Sequence, residues 1–557
     1  MTAHLRFKWP FYISLVIAVL LTGCTDGQSA PPPPASDPAP AAESESESAT
    51  PKSGGQLVVG SIGGLPVFDP FGTAKQEAAL TPYESLAYEG LLVYGEDGLL
   101  KANLASDYRL EKVDGKPVVT LSLPKQRKWA DGKPITVEDV RFTLETYSRP
   151  DYYGVWREST HLIEGVSRFR RGKDEHISGI TVAPEQGTVR ISLDRDDVAF
   201  LPLLTAPLLP QHQLQGKSLD EISSLSIGGQ LIGTGIFQPQ QMSEQEWVFA
   251  ANGSYHGEKP LLDSVKVIPL QQEKVGEEVA SGRVHISMVS PEVAHLLNEQ
   301  DTAVQIKTAE AHGYHFIGYN LASEKLQDLV VRQALSQAVP VEKIVDELFY
   351  SFAQPVKSPL HPASFAYEAG VLPGFDPKAA QAVLKEKGYS QEKPLVLTMV
   401  YPSGSQVRQR LVDALLEAWK SLPVKVETKP LQPDEFHAYL FGGQATDLYL
   451  YAWQYPLDPS ELIKIWHSRE RVGELGLNAS RWTNPQADQL LEKGQLLLDE
   501  KERQKLFGDW QKQFAADLPI LPLVEVQNPY CISTRLHGVA DRLGMQPFRE
   551  IGSWWLE

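Results

Sequence analysis

The chain is an α/β protein by its sequence. Between residues 395 and 451, apolar runs rich in Val, Leu and Tyr alternate with amphipathic helical stretches of about ten to fifteen residues. A helix start is written at Thr136, three residues before Asp139, in the capping-box spacing. With 557 residues, 42% of them hydrophobic, the chain is long enough for two to four domains with sizeable cores.

Each element follows from local pattern. Folding is expected to begin at Gly54-Gly55, with Gln56–Gly60 as a strand and Val67-Phe68-Asp69-Pro70 as a loop. A helix is expected from Tyr83 to Gly90, stopped by the glycine. Leu91–Tyr94, a turn at Glu96-Asp97-Gly98 and an alternating strand Val118–Leu123 follow. Asp131-Gly132 signals a turn, and the Thr136 helix runs through Phe142 and Leu144. Residues 323–349 are helix-rich. Strands are expected at Leu395–Val400, Val424–Thr428 and Asp447–Tyr451, with helices at Val407–Leu422 and Pro433–Tyr439 between them. There is no short internal repeat.

The first residues carry an address. Arg6 and Lys8 precede an apolar run from Phe11 to Leu21, too short for a spanning helix of roughly twenty residues but right for a secretory signal. Leu21-Thr22-Gly23-Cys24 resembles the lipobox of bacterial lipoproteins. The resemblance implies a signal peptide over 1–23 and a lipid anchor on Cys24, with acyl chains partitioning into the bilayer at about 0.8 kcal/mol per CH₂. Residues 24–54, mostly Pro, Ala, Ser and Glu, cannot fill a core and are expected to form a disordered tether.

Composition narrows the function. The formal charge is −18, and loss of Arg6 and Lys8 with the signal takes it to −20. Such a body repels phosphate backbones and anionic lipid surfaces, so no nucleic-acid partner is expected, and membrane contact comes only through the lipid. Cys531 is the one other cysteine, which leaves no intramolecular disulfide framework; it is expected to be a buried apolar residue. Enzymatic constellations are missing: no Gly-x-Ser-x-Gly, no His-Glu-x-x-His, and no Gly-x-Gly-x-x-Gly opening a helix. Gly216-Lys217-Ser218 ends like a phosphate loop, but Gln211 stands where its first glycine belongs. His312 and His315 have ligand spacing for a helix in a strand-like setting, so no metal or cofactor is expected. These absences favour a binding protein over an enzyme.

Seven segments, in order, carry a resemblance. Lys128-Trp129-Ala130-Asp131-Gly132-Lys133-Pro134-Ile135-Thr136 with Glu138-Asp139-Val140 is similar to the signature of family 5 solute-binding proteins, the peptide- and nickel-binding lipoproteins of ABC transporters. Tyr88-Glu89-Gly90-Leu91, Ile232–Phe237, Asn252 with Tyr255, Lys259-Pro260 and Leu262-Asp263, and Ser281-Gly282 with Val284 resemble further family motifs, although His285 replaces an acid in the last. Asp328 with Val331–Leu335, and Asp376–Ala380 through Gly388-Tyr389, complete the series, which covers about residues 55–535.

The resemblance implies a two-lobed, periplasmic-binding-protein-like fold of the cluster C type, with an extra inserted subdomain and a hinged cleft. The implied first main lobe is 55–94, 201–311 and 516–557; the inserted subdomain is 95–200; the second main lobe is 312–515. The implied activity is capture of a peptide or other small polar solute by a lipid-anchored, extracytoplasmic monomer. The implied partners are ABC permease subunits. Nickel or a metal chelate is the alternative solute; a sensor feeding no permease, or a surface hydrolase, is the alternative from another class. Cleft candidates are Trp453, Gln454, Tyr455 and Asp458 at the end of a strand, where two prolines bend the chain, with Tyr152 and Tyr153 as a second wall. In peptide-binding members an aspartate three residues after the tryptophan neutralises the peptide ammonium. Here that position is Pro456, and Asp458-Pro459 follows one residue early, a spacing closer to the nickel branch, although Ser460 stands where that branch often has histidine. Gly233 and Gly235 are expected to serve turn conformations.

Overall fold

A computed structural model describes residues 50–557 apart from 73–81, 301–302, 312, 371, 457 and 475. The expected signal peptide, the expected lipid site Cys24 and most of the expected tether lie outside the described residues. Residues 51–557 cluster as one compact unit. The Gly54 amide donates to Leu261 O at 2.7 Å and Gly55 to Asp263 Oδ2 at 3.0 Å, so both glycines are tied to the folded unit.

Two large sheets organise the unit. The first has eight strands and is built around Gln56–Ile62, which pairs in parallel with Ser264–Leu270 on one side and Ile286–Met288 on the other. Both neighbours cover it, so Leu57 and Val59 are fully buried. Asn528–Ser533 and Val304–Ala309 extend this sheet antiparallel. The second sheet has six strands, with Leu395–Pro402 parallel to both Val424–Leu431 and Leu448–Gln454, and Gly313–Tyr319 and Ile520–Val526 antiparallel beside them. One apolar core lies under the first sheet and runs into a four-stranded antiparallel sheet formed by residues 107–192. The second sheet is covered on both faces by separate cores. Cys531 is buried, and its burial pushes the thiol up to about 12. No helix among the described residues is long and apolar enough to cross a membrane.

The capping box forms as written. Asp139 Oδ2 accepts the Thr136 amide at 2.8 Å, and the helix runs Val137–Tyr147. Its other carboxylate oxygen accepts the Gln211 amide at 2.9 Å, tying the inserted segment to the first sheet's connections.

Three expectations change. The helix after Tyr83 is only Glu84–Ala87, because Tyr88 is extended and the backbone beyond it packs too tightly for a helix: a Cβ on Gly90 would sit 2.5 Å from Thr205 O. Gly233 and Gly235 do not serve turns. A Cβ on Gly233 would lie 2.0 Å from Ala87 O, and one on Gly235 2.4 Å from Leu86 O, so bare backbone approach is what they supply. The Ala130 amide then donates to Gly233 O at 3.1 Å, so three of the family-like segments meet at one glycine. Finally, ending the second lobe at 515 leaves Ile520–Val526 on the wrong side, since that strand hydrogen-bonds within the six-stranded sheet.

Candidate functional site

Strand direction places the site. In the first sheet the parallel strands end at Ile62, Leu270 and Met288. The antiparallel register Met288↔Tyr530 and Ala309↔Asn528 puts those carboxyl ends on the edge where the chain leaves at Ala309 and returns at Asn528. In the second sheet the parallel strands end at Pro402, Leu431 and Gln454, and Gly313↔Gln454 puts those ends where the chain arrives at Gly313 and departs after Val526. Two short crossovers, one following Ala309 and one at Gln527, therefore join carboxyl edge to carboxyl edge. Open α/β sheets bind ligands outside the carboxyl ends of their strands. Here two such edges share one hinge.

The loops on these edges leave room. Gly63 and Gly64 follow the first strand at φ 85° and 99°, and a Cβ on either would meet nothing within 4 Å. Gly404 is equally open at φ 87°, beside Ser405, which caps the helix Gln406–Trp419.

The aromatic segment is divided by the pleat. Trp453 is half-buried, its ring edge-on to Tyr451 at 5.1 Å and tilted against Phe441 at 6.0 Å. Gln454 is exposed at the strand end. Tyr455 turns inward: its ring lies 5.0 Å from Tyr314 and 5.1 Å from His361, and its hydroxyl donates to Glu525 Oε2 at 2.7 Å. Burial, then the adjacent carboxylate, holds that phenol well above its ordinary range.

Asp458 is already committed. It is 9% exposed, Arg503 Nη2 lies 2.5 Å from its Oδ1, and the same oxygen accepts the Ser460 amide at 2.9 Å. Arg503 is fixed in turn by donating to Gly494 O at 3.1 Å. Tyr152 belongs to the core: its ring packs at 5.1 Å from Phe71 and 5.3 Å from Tyr147, and its hydroxyl donates to Phe71 O at 3.0 Å. Its neighbour Tyr153 is 82% exposed, with the Arg157 guanidinium 4.9 Å over its ring. So Trp453, Gln454 and Tyr455 come together on the second sheet's carboxyl edge, Asp458 braces the loop behind them, and Tyr152 and Tyr153 lie in a separate segment.

Sequence reasoning missed the hinge residues. Glu525 is 5% exposed beside Tyr455. His361 Nδ1 accepts the Ala363 amide at 3.1 Å, which leaves the proton on Nε2, 3.9 Å from Glu310 Oε2 on the first crossover. Across the strand, His315 is pushed down to about 4 by burial and then by Arg408. One signal was readable: Glu525 is the only charged residue in Ile-Leu-Pro-Leu-Val-Glu-Val.

Two sheets whose carboxyl edges are joined by two short crossovers have the architecture of a hinged solute-binding class. Residues 100–473 match the family described as bacterial extracellular solute-binding proteins, family 5 Middle, and the chain belongs to that family. It is 24% identical over 567 residues to the oligopeptide-binding protein AppA of Bacillus subtilis (strain 168), covering 98% of this chain and 97% of the relative. It is 23% identical over 474 residues to the periplasmic murein peptide-binding protein MppA of Escherichia coli (strain K12), covering 81% and 84%. The fold superposes on the ABC transporter substrate-binding protein CtaP of Listeria monocytogenes with a TM-score of 0.76 at 22% identity, over 91% of this chain and 100% of that one. NikZ of Campylobacter jejuni, solved in complex with Ni(L-His), gives 0.69 at 21% identity over 90% and 99%.

Proposed function

We propose that this protein is a lipid-anchored, extracytoplasmic receptor that captures peptides by cleft closure and delivers them to an ABC permease. The observation that carries the reading is the pair of carboxyl edges facing one another across two short crossovers. The main lobes are then about 55–94 with 201–311 and 528–557, and 312–526, with 95–200 inserted in the first. Contacts between the two sheets' own helices support a closed state. Arg410 of Gln406–Trp419 pairs with Glu292 of Pro291–Gln300, and His295 stacks on Tyr350 at 4.5 Å. A solute touching both lobes adds to such contacts and shifts the population toward closure. The relatives named as oligopeptide- and murein-peptide-binding proteins favour peptide as the solute. A nickel chelate is the second reading, favoured by the Trp453, Pro456, Asp458 spacing.

Calorimetric titration with mixed tri- to pentapeptides, and separately with nickel–histidine, separates the two: saturable heat from peptides alone supports the reading, and heat from the chelate alone overturns it. Anchoring is tested apart. Cys24→Ser is expected to release the protein from membranes, seen by fractionation and by loss of the lipid mass, with solute affinity unchanged.

A further inference from the structure

We propose that Glu525, with Tyr455, holds a primary ammonium group of the captured solute at the hinge. The inference rests on the peptide reading above. Its starting point is a charge without a counter-charge. Glu525 is 5% exposed, and its one hydrogen-bond partner among the described residues is the neutral Tyr455 hydroxyl at 2.7 Å. Buried carboxylates are ordinarily paired with a cation, because desolvation otherwise disfavours them by several kcal/mol. The hydroxyl occupies one acceptor site of about four.

No cation of the described chain is placed to fill this role. Arg503 is spent on Asp458 at 2.5 Å, and Arg542 lies 3.7 Å from Glu310. His361 is engaged elsewhere, with Nδ1 accepting the Ala363 amide and Nε2 3.9 Å from Glu310 Oε2. What surrounds Glu525 is aromatic: Tyr455 packed on Tyr314 and His361, and Tyr367 near enough that, after burial, the Glu525 charge helps raise its phenol. A buried carboxylate with open acceptor positions beside a phenol hydroxyl selects a compact ammonium through charge-assisted hydrogen bonds. Position agrees, since Val526 ends the strand and Gln527 is the crossover itself. A group bound there is enclosed when the lobes close. The loop acid that would compete, Asp458, is neutralised within the protein.

The test uses the purified protein and two probes: mixed tri- to pentapeptides with free amino termini, and the same mixture N-acetylated. Wild type is expected to bind the free form tighter by on the order of a hundredfold, the loss typical of removing one partner of a buried charge pair. Glu525→Gln is expected to abolish that preference while binding the acetylated mixture as wild type does, which also shows that the variant is folded. Glu525→Asp keeps the charge and is expected to retain the preference. Equal wild-type binding of both mixtures overturns the ammonium site and leaves the peptide reading intact. A preference that survives Glu525→Gln overturns the assignment to Glu525. Binding of neither mixture overturns both.

Discussion

Asp458→Ala removes one end of a buried ion pair. The Arg503 and Asp458 side chains are 8% and 12% exposed and 2.5 Å apart, so solvent screens the pair little. Truncating one partner strands the other charge, at about 3–5 kcal/mol. At about 2.1 cal/mol/K per residue, a unit of this size has an unfolding entropy of roughly 1 kcal/mol/K, so the expected fall in Tm is about 3–5 °C. The double variant Asp458→Leu with Arg503→Met removes both charges and is expected to recover most of the loss. Thermal and urea unfolding of the four proteins closes a double-mutant cycle, and peptide titration of the folded single variant completes the assay. Affinity is expected to stay within about threefold of wild type, because Asp458 braces the loop and is not free to meet a solute. A loss under about 1 kcal/mol would refute the buried-pair argument. Intact stability with collapsed affinity would make Asp458 a solute contact after all.

Two further outcomes follow from local geometry. Gly233→Ala drives a methyl to 2.0 Å from Ala87 O and is expected to destabilise by about 3 kcal/mol, measured by urea unfolding; a neutral result would mean the backbone there yields freely. His315 is depressed from about 6.5 to about 4 by burial, so the unfolded chain binds the extra proton first. Stability from this group is therefore complete above pH 6.5 and lost as pH falls toward 4, by up to about 3 kcal/mol. His315→Gln is expected to flatten that part of the pH–stability curve; an unchanged slope would sink the assignment.

Much of the fold was legible because its signals are local. The Thr136 capping box and the strands and helices from 395 to 454 depend on neighbours within a few residues, and they form within a few residues of expectation. What was not legible depends on contacts distant in sequence. Gly233 and Gly235, read as turn-formers, lie against another backbone so closely that an added Cβ would sit 2.0 and 2.4 Å from a carbonyl oxygen, which only the folded chain reveals. Ile520–Val526 follows a long helix and looks equally suited to either sheet until its partners Ala353 and Ile317 are known. The site divides the same way. The Trp453–Tyr455 segment is proposed as cleft from its aromatics and prolines, and the strand end expected there is present at Gln454. Tyr152 and Asp458 could not be told from cleft residues by sequence, since a ring stacked on Phe71 and an acid paired 45 residues away look the same in one dimension as a ring and an acid awaiting a solute.

The central claim is that the opposed carboxyl edges close on a peptide. Thermal unfolding of the purified protein with mixed tri- to pentapeptides, alongside nickel–histidine, tests it most directly. At a hundredfold excess over Kd, a ligand bound only by the folded state contributes about 2.7 kcal/mol, or a rise of roughly 3 °C here. A concentration-dependent rise with peptides and none with the chelate is the expected result. A rise with the chelate alone, or with neither, would contradict the account.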